Sequence, residues 1–257
     1  MAVSFAAEDG IGYITLDKPP ANSYDRAFME EMSAAVDAAA ADDAAKAVIV
    51  RSASKRFFCA GADIKAFLAN DTAGNMAMIE LGHEVLARIA TVPKVFIAQL
   101  EGHALGGGLE ISLACDLRFG ARGSYKLGVP EVTLGLLPGN GGTQRLTRLV
   151  GPSRALELLV TGRTFSVEEG REMGLIADVY DTDEAQDNVS EYAARLAALP
   201  ALAVAAIKRC VHEGGQETLA DGLALEAELM EQLFRSEDAA EGLKAFVEKR
   251  KPQFVGR

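Results

Sequence analysis

The sequence is poor in the residues that build metal centres, disulfide frameworks and membrane spans. Its 257 residues include no tryptophan, three histidines and three cysteines, and aromatic residues make up 6% of the chain. The cysteines, Cys59, Cys115 and Cys210, are odd in number, widely spaced and without a CxxC pair. We therefore expect reduced, mostly buried thiols and no metal site. No apolar run approaches the ~18 residues of a membrane-spanning helix.

Basic residues are also scarce. The chain has 26 lysines and arginines against 37 acidic residues, a net charge of −11, which argues against a nucleic-acid-binding surface. An anionic ligand would need a local basic patch. The first ten residues have neither the basic nor the apolar segment of a secretion signal, so we expect the protein in the cytoplasm.

What the sequence does have is apolar content and glycine. Hydrophobic residues make up 49% of the chain, enough for the core of one large domain or two small ones. Of the 25 glycines, two short runs each precede a helical pattern. The first run, Gly106–Gly108, follows a β-branched and aromatic stretch, Val95–Leu100, that predicts a buried strand. A strand-to-helix junction is therefore expected at these glycines.

Such a junction favours an anion or oxyanion. The first N–H groups of a helix have no internal partner, and glycine lets a ligand oxygen approach them closely. Gly107 and Glu110 lie three residues apart, so one face of the first turn would carry both a donor and a base. The alternative is a glycine junction that exists only for backbone packing. A dinucleotide site is disfavoured because the glycines do not form GxGxxG.

The remaining patterns indicate an α/β core followed by helices. Asp9-Gly10 predicts a tight turn in an opening hairpin, and composition shifts near Asp181 without a linker. We expect strands at Val3–Ala6, Ile11–Leu16, Ala47–Val50, Val95–Leu100, Asp116–Phe119, Tyr125–Leu127 and Ile176–Tyr180. We expect helices at Phe28–Ala40, Met76–Ile89, Ile111–Cys115, Pro152–Thr161 and Ser166–Met173, a further helix after Gly142, and helices throughout the chain after Thr182. These patterns predict a core of residues 1–181 and a helical region of residues 182–257.

Three motifs in order are similar to those of the crotonase, or enoyl-CoA hydratase/isomerase, superfamily. They are FCAGADIK at Phe58–Lys65, GHALGGGLE at Gly102–Glu110 and PEVTLGLLPGNGGTQRL at Pro130–Leu146. The resemblance continues through Thr161–Arg163 and Gly174-Leu175 to Ala245–Lys251, and it is strongest to an enoyl-CoA hydratase. It implies an α/β spiral of ββα turns, a C-terminal helical trimerisation region, and a homotrimer or a homohexamer built as a dimer of trimers.

The resemblance also implies an acyl-CoA thioester as substrate, with coenzyme A as part of the substrate and no separate cofactor. By motif matching, the N–H groups of Ala62 and Gly107 would form the oxyanion hole for the enolate oxygen. Glu131 would supply the α proton and Glu110 would activate water. The further residues expected at the substrate are Ala21, Ala60, Asp63, Ile64, Leu105, Pro130, Gly139, Phe234 and Lys249, the last two from a neighbouring subunit.

Several departures and alternatives accompany this assignment. Leu109 stands where a cysteine is common, Ala66 where an acid is common, and the Lys18–Tyr24 segment is shortened. Both glutamates could be ordinary acids, Glu110 in a first helical turn and Glu131 on a surface beside a helix. His103 and Cys59 are expected to be structural, since neither has a catalytic partner in its motif.

The leading hypothesis is a hydratase that adds water reversibly and syn to a 2-trans-enoyl-CoA. The alternatives are a Δ3,Δ2-enoyl-CoA isomerase or another crotonase-type lyase, and a non-catalytic or RNA-associated protein of the same fold. The acyl group is left open, because the motifs do not fix the shape of the pocket.

Overall fold

The computed structural model describes residues 1–257 as a mixed α/β protein with two sheets. The strands are β1 Val3–Glu8, β2 Ile11–Leu16, β3 Ala47–Ser52, β4 Phe57–Cys59, β5 Val95–Leu100, β6 His103–Leu105, β7 Leu117–Ala121, β8 Leu127–Gly128 and β9 Asp178–Tyr180. The helices are α1 Arg26–Ala41, α2 Ile64–Ala69, α3 Thr72–Thr91, α4 Gly107–Ala114, α5 Gly142–Val150, α6 Pro152–Thr161, α7 Val167–Glu172, α8 Ala185–Ala197, α9 Ala201–His212, α10 Leu219–Phe234 and α11 Glu237–Glu248, with 3-10 turns at Pro130–Leu134 and Gly214–Gln216.

The strands alternate between the two sheets. The six-stranded sheet has the order β1-β2-β3-β5-β7-β9, and the three-stranded sheet has the order β4-β6-β8. Only the β1–β2 pair is antiparallel, because Asp9 and Gly10 close a hairpin between these two strands, both with positive φ. Each of β3, β5 and β7 is followed by one strand of the small sheet and then by helix, which makes three successive ββα turns. The expected spiral of ββα turns is confirmed.

Polar caps at the helix starts explain where several helices begin. Asp25, Asp63 and Asp71 accept hydrogen bonds from the backbone N–H groups of Phe28, Lys65 and Gly74 at the starts of α1, α2 and α3. Helix α4 has no such side-chain cap, since Gly106 precedes it with φ 54°. The first N–H groups of α4 are therefore left without a side-chain partner.

The apolar core lies on both faces of the large sheet. The larger cluster of 40 buried residues packs α1, α3 and α4 against one face, and a smaller cluster of seven residues includes Val189 and Ala193 of α8 on the other. Helix α8 thus covers the sheet, although it follows the predicted boundary at residue 181. The division of the chain into residues 1–181 and 182–257 remains a prediction, with α8 packed on the core side.

Most of the expected elements are confirmed, and three details are wrong. The strand that leads into Gly106–Gly108 is not Val95–Leu100 but the short β6, which belongs to the second sheet. Helix α2 was not expected, because its six residues are too few to show a period. Strand β8 comprises only Leu127 and Gly128, so the expected strand at Tyr125–Leu127 is displaced.

The cysteines agree with expectation: all three are free, Cys59 and Cys115 are buried, and Cys210 is half-buried. None of the helices is long and apolar enough to cross a membrane.

A buried ion pair attaches α9 to the core. Lys208, which is 6% exposed, donates through Nζ to Asp116 Oδ2 at 2.8 Å and to the carbonyl oxygens of Ile89 and Lys94 at 2.7 and 2.8 Å. Asp116 also accepts from the Phe96 N–H at 2.7 Å. Every bond of this ammonium group is therefore made to a different segment of the core.

We expect Lys208→Ala to lower the free energy of unfolding by about 3 kcal/mol, because it removes the cation paired with Asp116 and the shared donor of two carbonyl groups. Urea unfolding at fixed protein concentration measures the loss. Lys46→Ala, an exposed lysine without an ion pair, is the control and should change the free energy by less than ~0.5 kcal/mol. Equal effects of the two substitutions would show that this pair does not hold α9.

Candidate active site

The loop after β4 leaves one backbone N–H group without a partner. Tyr24 forms a parallel bridge with Ala62: the Tyr24 N–H donates to Gly61 O at 3.0 Å, and the Asp63 N–H donates to Tyr24 O at 2.8 Å. The bonds on either side of Ala62 are thus made, whereas the Ala62 N–H has no acceptor in the chain. This is the first of the two donors expected from the motifs.

The preceding loop is held in place by a buried amide. Asn22 has φ 53° and donates through Nδ2 to Phe58 O at 2.9 Å and to Ser52 Oγ at 2.8 Å, and its Oδ1 accepts from the Lys18 N–H at 2.6 Å. The neighbouring Ala60 N–H donates to Ala21 O at 3.0 Å. The predicted substrate residues Ala21 and Ala60 therefore lie side by side.

The second expected donor lies against this loop. The Gly107 N–H is at the start of α4 and has no acceptor in the chain. A Cβ placed on Gly61 would lie 3.5 Å from Gly107 N and 2.9 Å from Leu105 O, so the two loops are in contact. The structure brings together Ala62, Leu105 and Gly107. Two unpaired N–H groups on adjacent loops form an arrangement that can bind an oxyanion.

Glu110 is buried without a basic side-chain partner. Its exposed fraction is 1%, and its Oε1 accepts from the Asn140 N–H at 2.7 Å and from the Gly142 N–H at 2.6 Å. A Cβ on Gly142 would lie 2.9 Å from Oε1, so a larger residue would crowd the carboxylate. The pKa of Glu110 is raised to about 7, chiefly by burial; the nearby Glu131 carboxylate adds to the rise, and the two N–H donors oppose it.

Glu131 approaches the same place from the 3-10 turn after β8. Its Oε1 lies 2.7 Å from the position that a Cβ of Gly106 would occupy, and its buried Oε2 has no hydrogen-bond partner. Burial raises the pKa of this carboxyl group above its usual range. Glu131 is thus half-buried and not fully solvated, and Glu110, although it lies in the first turn of α4, is buried. Their catalytic roles stay a prediction.

Two other groups near the site are structural. Burial raises the pKa of the Cys59 thiol to about 12, and this thiol donates to Asn22 O at 3.0 Å. His103 accepts from the Lys126 N–H at 3.0 Å and packs on the Phe57 ring. Both residues behave as expected. No three His, Cys, Asp or Glu side chains lie close enough together to hold a metal ion.

Comparison with known proteins identifies the family of the chain. A family model described as enoyl-CoA hydratase/isomerase matches residues 6–257. The chain is 38% identical over 257 residues to a probable enoyl-CoA hydratase of Bacillus subtilis, with 99% of each chain covered.

The chain belongs to the enoyl-CoA hydratase/isomerase family. Among solved structures, an enoyl-CoA hydratase from Geobacillus kaustophilus matches with a TM-score of 0.97 at 45% identity, covering 100% of this chain and 97% of the other. One from Bacillus anthracis has a TM-score of 0.96 at 35% identity, with both chains covered completely. The resemblance to this family of enzymes, drawn from three motifs, is confirmed.

The other residues expected at the substrate lie in several places. Asp63 and Ile64 follow Ala62 at the start of α2, where Ile64 is exposed, and Pro130 precedes Glu131 in the 3-10 turn. Gly139 precedes the Asn140 N–H that binds Glu110, and its carbonyl oxygen lies 2.5 Å from His83 Nε2. Phe234 at the end of α10 and Lys249 after α11 contact none of these residues within one chain.

Two buried polar residues of the site were missed by the sequence analysis. The Tyr24 hydroxyl accepts a hydrogen bond from Asn140 Nδ2 at 2.7 Å, and Asn140 O accepts from Arg145 Nη1 at 2.7 Å. Asn140 stands within the third motif, so its place there was the available signal. Tyr24 ends the shortened Lys18–Tyr24 segment, and no periodicity or spacing marks it.

The pKa of Glu110 makes stability depend on pH. The carboxyl group titrates near 7 when folded and near 4.5 as an ordinary glutamate. Between these values the folded state retains a proton that the unfolded state loses, so its stability falls as pH rises, by about 3 kcal/mol in all. Glu110→Gln removes this loss, and its stability relative to the parent should increase by about 2 kcal/mol between pH 5 and pH 8.

Urea unfolding of both proteins at the two pH values measures this effect. Glu226→Gln, at an exposed position on α10, is the control and should change the free energy of unfolding equally at the two pH values. A Glu110→Gln difference that is independent of pH would contradict the elevated pKa.

Proposed function

We propose that this protein is an enoyl-CoA hydratase, which adds water reversibly and syn to a 2-trans-enoyl-CoA to give the 3-hydroxyacyl-CoA. The observation that carries the proposal is the combination of two carboxyl groups with elevated pKa, the buried Glu110 and the half-buried Glu131, with two unpaired backbone N–H groups. Hydration of a conjugated thioester needs these parts: donors for the enolate oxygen, an acid for one carbon and a base for water.

The Ala62 and Gly107 N–H groups are proposed to bind the thioester oxygen. They belong to two loops in contact, and neither has an acceptor in the chain. Negative charge builds on this oxygen as the enolate forms, and each preorganised donor at such an oxygen lowers the barrier by roughly 3 kcal/mol. Coenzyme A is part of the substrate in this proposal, and the proposed reaction uses no separate cofactor.

The two carboxyl groups divide the proton transfers. Glu110 takes a proton from water as the water oxygen bonds to the β carbon, and protonated Glu131 delivers its proton to the α carbon. Return of the proton from Glu110 to Glu131 completes the cycle. The Glu131 carboxylate contributes to the rise in the pKa of Glu110, so negative charge on one group favours a proton on the other, which suits this exchange.

An isomerase is the competing function, because moving a double bond needs only one carboxyl group at the α and γ carbons. Glu110 favours hydration. Its carboxylate is fixed by two backbone donors at one oxygen, which leaves the other oxygen for a water molecule.

The proposal is tested by adding the protein to short- and medium-chain 2-trans-enoyl-CoA thioesters and following the loss of conjugated-enone absorbance. We expect loss of absorbance with at least one chain length. Absence of any loss, together with a gain of absorbance from a 3-enoyl-CoA, would replace the hydratase with the isomerase.

Glu110→Gln and Glu131→Gln should each lower kcat for hydration by at least ~100-fold, the lower range for positioned acid-base groups. The two variants should differ in exchange of the α proton of a saturated acyl-CoA with solvent, which involves no added water. Glu131→Gln should abolish this exchange and Glu110→Gln should retain it. The reverse pattern would exchange the two roles, and full hydration activity in either variant would remove that residue from catalysis.

We also propose that a homotrimer or a dimer of trimers completes the coenzyme A site through the basic residues after α11. Lys249 and Lys251 are exposed and have no ion pair, whereas Arg250 between them is bound by Glu241 and Glu248. The two lysines are therefore free to meet phosphate groups of the substrate bound to another subunit.

Replacing both lysines by alanine should raise KM for an enoyl-CoA, with a smaller effect at high salt, because exposed charges are screened over about 8 Å at physiological ionic strength. The variant should retain its KM for an enoyl-pantetheine thioester, which lacks the nucleotide phosphates. Lys244→Ala on the exposed face of α11 is the control. Equal losses on both substrates would assign the lysines to assembly.

A further inference from the structure

Tyr24 connects the two loops that carry the unpaired N–H groups. Its backbone N–H and carbonyl groups are hydrogen-bonded to Gly61 and Asp63, the residues on either side of Ala62. Its ring and hydroxyl lie over the Cα of Gly107, so close that any Cβ at Gly107 would collide with them. The side chain is 3% exposed. A buried tyrosine therefore touches both halves of the proposed oxyanion hole.

The hydroxyl group of Tyr24 makes one hydrogen bond in the chain, and it makes this bond as an acceptor. It accepts from Asn140 Nδ2 at 2.7 Å, while Asn140 Oδ1 lies over the Cα of Gly82. In this orientation Asn140 Oδ1 is buried without a hydrogen-bond partner, and Nδ2 points at the Tyr24 hydroxyl. Asn140 is therefore the donor of the pair.

The phenol O–H of Tyr24 therefore remains available as a hydrogen-bond donor. A tyrosine hydroxyl offers one donor and accepts as well, and Tyr24 donates to no atom of the chain. Buried polar groups are rarely left unpaired. Glu131 Oε2 in the same site also has no partner.

We propose that Tyr24 is a third hydrogen-bond donor of the reaction, giving its phenol O–H to a reacting oxygen, either the enolate oxygen of the thioester or the oxygen of the added water. The inference rests on the proposed hydratase function. The positions of Glu110 and Tyr24 are linked, since the backbone N–H of Asn140 binds Glu110 and its side-chain amide binds Tyr24.

Tyr24 acts in this proposal without losing its proton. Burial raises the pKa of the phenol well above its usual range, and the carboxyl group of Glu110 adds to the rise. The group therefore stays a neutral donor throughout. A donor to the enolate oxygen stabilises charge in both directions of the reaction, and a donor to the water oxygen stabilises the hydroxide that leaves on dehydration.

The test is Tyr24→Phe, which keeps the ring over Gly107 and removes only the hydroxyl group. We expect kcat for hydration of the best 2-enoyl-CoA to fall about 10- to 100-fold with KM within about 3-fold, the range for a donor that acts in the transition state. Exchange of the α proton of a saturated acyl-CoA distinguishes the two acceptors. A matching fall in exchange identifies the enolate oxygen, and unchanged exchange identifies the water oxygen.

Tyr125→Phe is the matched control. Tyr125 is also buried, and its hydroxyl donates within the fold, 2.7 and 2.8 Å from the carbonyl oxygens of Ala121 and Leu100. Its loss should lower the unfolding temperature and leave kcat within 2-fold.

Hydration and exchange both within 2-fold of the parent in Tyr24→Phe would overturn the inference. So would a fall in kcat no larger than that of Tyr125→Phe. A parent protein that hydrates no enoyl-CoA would instead refute the proposed function.

Discussion

A buried carboxyl group held by backbone N–H groups is the constraint on which this site depends. Ionising Glu110 away from water is costly, and the Asn140 and Gly142 N–H groups offset part of this cost. The donors belong to the loop before α5 and to the first residue of α5, so the contact fixes this helix entry against α4 across 30 residues of sequence. The remaining cost appears as the elevated pKa. The same burial that weakens the fold at neutral pH thus makes a group able to accept and release a proton there.

Each of the three consecutive glycines packs closely against a different neighbour. A side chain at Gly106 would meet the Glu131 carboxylate, one at Gly107 the Tyr24 ring, and one at Gly108 the carbonyl group of Cys59. The packing explanation of this run therefore holds for Gly108, and the oxyanion explanation for Gly107 stays a prediction. Gly108 permits backbone to approach backbone, whereas the first two glycines let side chains of the site approach the start of α4, whose N–H groups are unpaired.

Much of this could be predicted from the sequence, because periodicity and glycine runs report local structure. Strand β5, helix α3 and the helix entry at Gly142 followed from such patterns. Strand β6 did not, since three residues show no period and its partners β4 and β8 are distant in sequence. The Tyr24–Asn140 contact joins residues 116 positions apart, and neither residue carries a charge that marks it for catalysis. Contacts of that kind are properties of the folded chain alone.

The C-terminal helices α10 and α11 expose apolar side chains that their own chain leaves uncovered. Helix α10 buries only Leu229, while Leu219, Leu223, Met230 and Phe234 remain 49 to 80% exposed, and Phe246 of α11 is 85% exposed. Contiguous apolar surface of this kind is typical of an interface between subunits. The proposed trimer would cover it. Phe234 and Lys249, which meet no part of the site in their own chain, would reach a bound acyl-CoA on a neighbouring copy, so assembly and completion of the site would be one event.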